Sequence, residues 1–366
     1  MRINQPIDKR FLLLLTGVVL FGLVMLLSAA GPLGVQKFDD SWYFFKHQLV
    51  NGIVPGLFVF FIMAKLDYRK LRPLALPAVI LSIILLILVY VPGVGMRFGG
   101  AGRWIDLGIA FQPSEFVKVG FLIYVAAWLA SKHESKAKTL EEGLLPFLTV
   151  LGLVVALLIF QPNTGSMAVI SGMALLMYFV AGAPVIWFVV LGFSFLSLVA
   201  LLIKLTPYRA ARFMTFLHPE LDPQGIGYHI NQAFLAIGSG GLFGLGYGHS
   251  RQKYQYLPEV AGDSIFAVMA EELGFFLCAA FIVALAFLIH RCFVIAAGAK
   301  DEFGRFLATG VGAWFAIQAI LNISSMIGLM PMTGVTLPFV SYGSSAFVAL
   351  AMGAGIVASV SKQSSV

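Results

Sequence analysis

The chain has 366 residues, of which 60% are hydrophobic and only 11% charged, and its mean hydropathy is +0.93. A soluble protein of this length could not bury so much apolar surface, so the composition excludes a soluble fold and predicts a polytopic membrane protein. The net charge of +7 arises from Lys and Arg in short loops between apolar runs. That pattern is typical of membrane topology and gives no support to nucleic-acid binding.

A helix needs about 20 apolar residues to cross the hydrocarbon core of a membrane. We therefore expect an all-α polytopic membrane protein with a single integral membrane domain over residues 1–366. The basic loop Lys65–Arg72 predicts that both termini are cytoplasmic, since Lys and Arg collect in cytoplasmic loops. Ten membrane-spanning helices are predicted, at residues 11–30, 47–65, 72–91, 113–131, 144–160, 164–181, 184–204, 264–290, 304–328 and 337–360.

One long connection, about residues 205–263, lies between the seventh and eighth predicted spans. Arg209–Phe216 has the apolar spacing of an amphipathic helix, and Tyr228–Ile237 is apolar enough to pack. We expect this connection to form a folded external cap that lies partly in the membrane interface. The glycine-rich stretch Gly238–Gly248 follows no predicted strand, which excludes a dinucleotide fingerprint and favours tight turning of the backbone.

Three acidic residues fall at or near the start of the eighth predicted span, where hydrocarbon excludes charge: Asp263, Glu271 and Glu272. An ionised carboxylate at membrane depth is costly unless it is paired or faces water, so each indicates a functional or a bonded site. Asp263 is predicted at the outer headgroup level, with capping of the helix as its structural alternative. Glu271 and Glu272 are predicted deeper, as structural residues rather than a catalytic pair.

A second polar cluster precedes and opens the fourth span. Glu115 and Lys118 are three residues apart, hence on one helix face and able to form an ion pair. Either the pair is only structural, or it borders a wet cavity, which would reduce its desolvation cost. Arg103 either anchors its loop at the headgroups or donates two hydrogen bonds to a phosphate. Arg209 and Arg212 carry the same two interpretations, with the interfacial one favoured.

Proline and glycine interrupt the helical pattern between Gly328 and Ser345. Broken backbone at membrane depth is tolerated only where protein or a water-filled cavity satisfies the freed groups. Ser341, Tyr342 and Ser345 could bind a sugar or a phosphate there, and closing the loop is the equally weighted alternative. The sequence contains no Ser-His-Asp set, metal-binding motif or Walker sequence.

Several motifs follow one another along nearly the whole chain: Arg103-Trp-Ile-Asp-Leu-Gly, Gln112-Pro-Ser-Glu-Phe-Val-Lys, Gln161-Pro-Asn-Thr-Gly, Gly225-Ile-Gly-Tyr-His, Ala236-Ile-Gly-Ser-Gly-Gly-Leu-Phe-Gly, Tyr256-Leu-Pro-Glu, Phe266-Ala-Val-Met-Ala-Glu-Glu-Leu-Gly and Leu337-Pro-Phe-Val-Ser-Tyr-Gly. In this order they resemble the SEDS family, the FtsW/RodA/SpoVE group of bacterial cell-wall polymerases. The resemblance also implies ten spans with a long external loop between the seventh and eighth.

The resemblance implies a peptidoglycan glycosyltransferase of the cytoplasmic membrane. Such an enzyme polymerises lipid II into β-1,4-linked glycan at the outer face and releases undecaprenyl pyrophosphate. Asp263 is then the catalytic residue, as a general base, and Glu115 and Lys118 form the cavity's acid–base pair. Lys118 and Arg103 would neutralise the pyrophosphate, together with a divalent cation, Mg²⁺ or Mn²⁺. The implied partner is a class B penicillin-binding protein, and membrane lipid surrounds the bundle.

Five residues depart from the family pattern: Gly102, Asn163, Ser344 and the two neighbours of Asp263, Gly262 and Ser264. Because Asp263 itself is kept, these changes concern substrate contacts more than the chemistry. Two other functions remain open at this stage. A lipid II flippase would need a polar path that reaches both faces, and a non-catalytic scaffold for the penicillin-binding protein would not need Asp263.

Overall fold

The apolar runs of the sequence form helices in the computed structural model, which describes residues 6–98, 101–106, 110–131, 139–219 and 225–364. A π-helical turn (Leu49–Ile53) joins the second helix to the third, and a 3-10 helix (Tyr68–Leu74) opens the fourth. In chain order the α-helices are α1 (Lys9–Phe38), α2 (Tyr43–Gln48), α3 (Val54–Lys65), α4 (Ala75–Leu88), α5 (Pro113–Ser131), α6 (Leu145–Phe160), α7 (Thr164–Val180), α8 (Val185–Leu205), α9 (Pro207–Leu217), α10 (Ile226–Gly240), α11 (Ile265–Ala297), α12 (Glu302–Met326) and α13 (Ser344–Ser361).

Eight helical stretches of the described chain are long and apolar enough to cross a membrane: Lys9–Phe38, Tyr43–Lys65, Tyr68–Leu88, Pro113–Ser131, Leu140–Phe160, Ile265–Ala297, Glu302–Met326 and Ser344–Ser361. The predicted all-α polytopic architecture is therefore confirmed. The sixth and seventh predicted spans coincide with α7 and α8, for which shorter apolar helices are found at Thr164–Val180 and Val185–Ser194. The count of ten spans stays a prediction.

The two chain ends meet at one end of the bundle, which we call the termini end. The Asp8 amide donates to the Ser361 hydroxyl over 3.2 Å, and Arg291 forms an ion pair with Asp8. The hydrogen-bonded Arg291 guanidinium holds the pKa of Asp8 below its usual value. Both termini therefore lie on the same side of the bundle, as an even number of crossings requires.

The centre of the bundle consists of α5, α12 and α13, the most buried of the spanning helices. Small residues allow these helices to approach their neighbours closely, as is usual inside membranes. In α13, Gly355 lies so close to α3 that an added Cβ would be 2.7 Å from the carbonyl oxygen of Phe60. This close packing makes the core a rigid support for the loops at the opposite end, which we call the site end.

Three short antiparallel strands precede α5, a feature that the sequence pattern did not predict. They are β1 (Gly95–Phe98), β2 (Ala101–Asp106) and β3 (Ala110–Phe111), in the order β1-β2-β3. Met96 lies opposite Trp104, and a bulge follows between Met96 and Arg97. The sheet carries the chain from α4 to the first turn of α5.

Two helices lie in the described part of the connection between α8 and α11. The predicted amphipathic segment at 209–216 forms α9, and the apolar segment at 228–237 lies in α10. The glycine-rich stretch that follows α10 turns tightly, with Gly241, Gly244, Gly246 and Gly248 all at positive φ. Tight turning, the role predicted for these glycines, is confirmed.

The eighth span is not one continuous helix, because Gly274 breaks α11 with φ 72° and ψ −176°. The glycine-rich stretch lies beside the break and satisfies the backbone groups that the break exposes. Leu245 and Gly246 donate to the carbonyls of Glu271 and Glu272 over 2.9 and 3.0 Å, and the Phe275 amide donates to the Gly241 carbonyl over 3.0 Å. A helix can break at this depth because these bonds replace the lost helical ones.

We expect Gly274→Ala to destabilise the protein, because a side chain at this φ and ψ is strained and its Cβ would meet the backbone nitrogen of Gly244. The backbone strain alone costs about 1–3 kcal/mol. Thermal unfolding of the purified protein in detergent measures the change. Gly152→Ala in α6 is the matched control, since no atom lies within 4 Å of its Cβ position. An unchanged midpoint for Gly274→Ala would contradict the assignment of strain.

Candidate active site

Asp263 is the last residue but one before α11, at the site end; the residue is half-buried, and its Oδ1 is enclosed by the protein. Its carbonyl oxygen accepts a hydrogen bond from the Asn322 side chain over 2.8 Å. The loop after α12 lies beside its carboxylate, since a Cβ added to Gly334 would be 3.9 Å from Oδ2 of Asp263. Asp263 therefore stands at a fixed point of the backbone, between α12 and this loop.

Two amide side chains one turn apart on α12 hold the loop against the bundle. Asn322 Nδ2 donates to the carbonyl of Val335 over 2.7 Å, in addition to its bond with Asp263. Gln318 Nε2 donates to the carbonyl and to the hydroxyl of Thr336, over 3.0 and 3.1 Å. Both amide residues are fully buried. Two polar side chains at i and i+4 in an apolar helix are the sequence signal for this role, and it was not recognised.

The predicted ion pair between Glu115 and Lys118 forms in the first turns of α5. Lys118 Nζ donates to both carboxylate oxygens, over 2.7 and 2.9 Å, and to Oε1 of Gln318 over 3.2 Å. Gln318 Oε1 also accepts from Trp314, whose ring lies 5.5 Å from the ammonium. Only 5% of Glu115 and 1% of Lys118 are exposed. The pair is thus buried, and Gln318 connects it to the loop beside Asp263.

Of the three arginines predicted to bind phosphate, the structure describes the side chain of one. Arg103 lies in β2, where its guanidinium donates to the carbonyls of Gln161 and Pro162. It therefore braces the turn between α6 and α7, next to Asn163. The side chains of Arg209 and Arg212 lie outside the described part of the protein, so their predicted roles stay predictions.

Asn163, one of the departures from the family pattern, has a structural place at this turn. Its Oδ1 accepts from the Ser166 amide over 3.2 Å, which caps α7, and its Nδ2 donates to the Ser114 hydroxyl over 3.1 Å. An amide can both accept and donate in this way, whereas an ionised carboxylate could only accept. The amide thus joins α7 to the start of α5.

The three residues near the end of this loop that were predicted to bind a sugar or a phosphate all make hydrogen bonds within the protein. Ser341 accepts from the Leu337 amide over 2.8 Å, and Ser345 accepts from the Gln112 amide over 3.3 Å. The Tyr342 hydroxyl bonds to His47 over 2.8 Å, and burial raises the pKa of Tyr342 to about 12. These contacts favour the alternative in which all three residues close the loop rather than bind the substrate.

Tyr342 also contributes its backbone to the site. Its amide donates to the carbonyl of Ala261 over 2.7 Å, two residues before Asp263. The segment before Asp263 is therefore tied to the end of the loop, and Asn322 ties Asp263 to the start of the same loop. The candidate site is a contact between two pieces of irregular backbone, both supported by buried side chains.

Whether the site can hold a divalent cation depends partly on the protein side chains that could bind it. Within the part of the chain that the structure describes, no three His, Cys, Asp or Glu side chains gather at one point. Mg²⁺ does not need such a set, because it is usually bound by one or two carboxylates together with substrate phosphates. The cation therefore stays a prediction.

The amino-acid sequence is similar to those of known proteins over almost the whole chain. Residues 8–366 match the family model described as "Cell cycle protein", that of FtsW, RodA and SpoVE. Stage V sporulation protein E of Bacillus subtilis is 40% identical over 354 residues, with 96% of this chain and 95% of that protein covered. A probable peptidoglycan glycosyltransferase FtsW of Trichlorobacter lovleyi is 38% identical, covering 97% of this chain and 93% of that protein.

Solved structures are similar over almost the same range. A chain of a peptidoglycan synthase complex, described as coordinating polymerization and crosslinking, has a TM-score of 0.79 and 28% identity and covers 97% of both chains. The rod shape determining protein RodA of Thermus thermophilus has a TM-score of 0.72 and 28% identity, with 98% of both chains covered. Sequence and backbone thus point to the same set of proteins.

We expect Glu115 and Lys118 to behave as one coupled unit. Removing one partner, as Glu115→Gln or Lys118→Met, leaves an uncompensated buried charge and should cost about 3–5 kcal/mol, whereas the double variant should cost less than the sum. A double-mutant cycle of unfolding free energies in detergent measures this coupling. Glu302 and Arg305 form an exposed pair with the same spacing, and their coupling should stay below about 1 kcal/mol. Additive costs at Glu115 and Lys118 would contradict the coupling.

Proposed function

The chain belongs to the FtsW/RodA/SpoVE family and is a peptidoglycan glycosyltransferase, and on this basis we propose that it polymerises lipid II with Asp263 as its catalytic base. The observation that supports this role is the position of Asp263. It is a half-buried residue at the site end, and its backbone carbonyl accepts a hydrogen bond from Asn322 of the central helices. A general base must be held within hydrogen-bond reach of the proton that it removes.

The proposed reaction is a displacement at the anomeric carbon of the lipid-linked donor. The 4-hydroxyl oxygen of the acceptor sugar attacks that carbon, and the carbon–oxygen bond to the pyrophosphate breaks. The electron pair of that bond leaves with undecaprenyl pyrophosphate, and Asp263 takes the proton of the hydroxyl. Attack from the opposite face converts the α-linked donor into a β-1,4 bond. General-base assistance of this kind contributes about 10²–10⁴ in rate.

The departing pyrophosphate needs cationic neighbours. Lys118 would have to leave both Glu115 and Gln318 to reach a phosphate, because its ammonium already bonds to their oxygens. We therefore assign Lys118 and Glu115 to support of the loop beside Asp263. Arg103 likewise already donates to the carbonyls of Gln161 and Pro162, so Arg209 and Arg212 are the proposed ligands of the phosphate. This assignment revises the roles that the sequence suggested for Lys118 and Arg103.

We further propose that the site end faces the outside of the cytoplasmic membrane and that both termini are cytoplasmic. The basic Lys65–Arg72 segment supports this orientation, because it lies at the termini end, where Arg69 forms an ion pair with Asp301.

The similar synthase complex, described as coordinating polymerization and crosslinking, supports a crosslinking partner. A class B penicillin-binding protein has that activity and is the proposed partner.

We expect Asp263→Asn and Asp263→Ala to lower the rate of glycan formation from purified lipid II by at least about 10²-fold, because neither side chain can take the proton. Gel separation of the polymer measures the loss, with and without the partner. The midpoint of thermal unfolding verifies folding, and fractionation verifies membrane insertion. Asp40→Asn is the matched control, since Asp40 is a carboxylate at the site end that pairs with Lys46.

The same assay separates the alternatives. Full polymerisation by Asp263→Asn in the presence of the partner would favour a scaffold and overturn the catalytic role. Movement of lipid II across vesicles by the wild-type protein, with no polymer formed, would favour a flippase. Loss of polymer with a chelator, restored by Mg²⁺ or Mn²⁺, would support the predicted cation.

A further inference from the structure

A buried charged network lies beside the broken helix and takes no part in the proposed chemistry. We call it the clamp, and its members are Ser28, Ser250, Lys253, Glu271 and Glu272. Lys253 Nζ is 2.7 Å from Oε1 of Glu272, and both side chains are almost completely buried. Ser28 of α1 donates to the Glu272 carboxylate over 2.7 Å and accepts from Lys253 over 3.0 Å.

Glu271, the residue before Glu272 in α11, is the remaining member of the clamp. Its carboxylate accepts from the Ser250 hydroxyl over 2.5 Å, the Arg251 amide over 2.9 Å and the Gln252 amide over 3.3 Å. Glu272 also accepts from the Ser250 amide over 3.3 Å. The two adjacent carboxylates thus hold one turn of the chain, residues 250–253, against α11. Their bonds within the protein agree with the structural role predicted for them.

The clamp closes a chain segment that contains Asp263. The turn at 250–253 precedes Asp263, and Glu271 and Glu272 follow it in the first arm of α11. Bonding the two together restricts the paths that the backbone can take between them. Within this closed segment, Ala261 is tied to Tyr342 and Asp263 is tied to Asn322. The backbone around Asp263 is thus held by the clamp at the base of the segment and by these ties at its tip.

We propose that Lys253, Glu271 and Glu272 are positioning residues for Asp263, an inference that rests on the proposed function. They act through the backbone rather than on the substrate, because Lys253 is 4% exposed and each glutamate 1%. The reacting groups of an enzyme must be held closely, and a displacement of about 1 Å can cost about 10²-fold in rate. Loosening the clamp should therefore lower kcat and leave substrate binding nearly unchanged.

The test uses the double variant Lys253→Met/Glu272→Gln, which removes both charges of this ion pair at once and leaves neither partner unpaired. We expect its kcat for lipid II polymerisation to fall by about tenfold to a hundredfold, with KM changed by less than about twofold. Hydrogen exchange of the amides in residues 254–262 should become faster. Glu271→Gln, which loses an acceptor for the turn, should change both readouts in the same direction.

Arg69→Met/Asp301→Asn is the control, because it removes both members of an ion pair at the termini end, away from Asp263, although that pair is more exposed than the one in the clamp. Its kcat and its exchange in residues 254–262 should match the wild type. Wild-type kcat in the clamp variants, or unchanged exchange in this segment, would overturn the positioning role. If Asp263→Asn also polymerises normally, the proposed function fails instead, and the exchange measurement still reports on the clamp independently. If the double variant does not unfold cooperatively in detergent, Glu271→Gln decides the outcome. A folded and fully active Glu271→Gln would then overturn the inference.

Discussion

The structure depends on one constraint, which is that a polar group buried in hydrocarbon must find a partner inside the protein. Irregular backbone at the site end is possible only because buried side chains satisfy it. Asn322 and Gln318 bond to the carbonyls of Val335 and Thr336, and the glycine-rich stretch pairs with the two sides of the break at Gly274. The loop beside Asp263 is thus held by side chains, and the break at Gly274 by neighbouring backbone.

The same constraint explains how the two polar clusters of the sequence become one site. Lys118 pairs with Glu115 and also donates to Gln318, so the buried pair is bonded to the support of the loop. Asn322, one turn further along α12, bonds to Asp263 itself. A single helix face thus joins an ion pair in α5 to the backbone of Asp263 at the start of α11.

Much of this arrangement follows from local sequence. Hydropathy and length predict the spanning helices, i and i+3 spacing predicts the Glu115–Lys118 pair, and an acid in an apolar run singles out Asp263. The break at Gly274 was missed because an isolated glycine in a helical pattern is usually tolerated, and the glycine-rich stretch that stabilises the break is distant in sequence. The partners of Gln318 and Lys253 were missed for the same reason, since they belong to other elements.

The break in α11 also separates two mechanical parts of one span. A continuous helix behaves as a stiff rod, so a tilt imposed at one end moves the other. Here the long arm after Gly274 exposes Phe275, Phe276 and Phe287 on the outer surface of the bundle, while the short arm before it is almost entirely buried. The glycine-rich stretch bonds to both arms at the break. Changes in bilayer thickness would be absorbed by the long arm, and the geometry around the carboxylate would be insulated from the membrane that surrounds it.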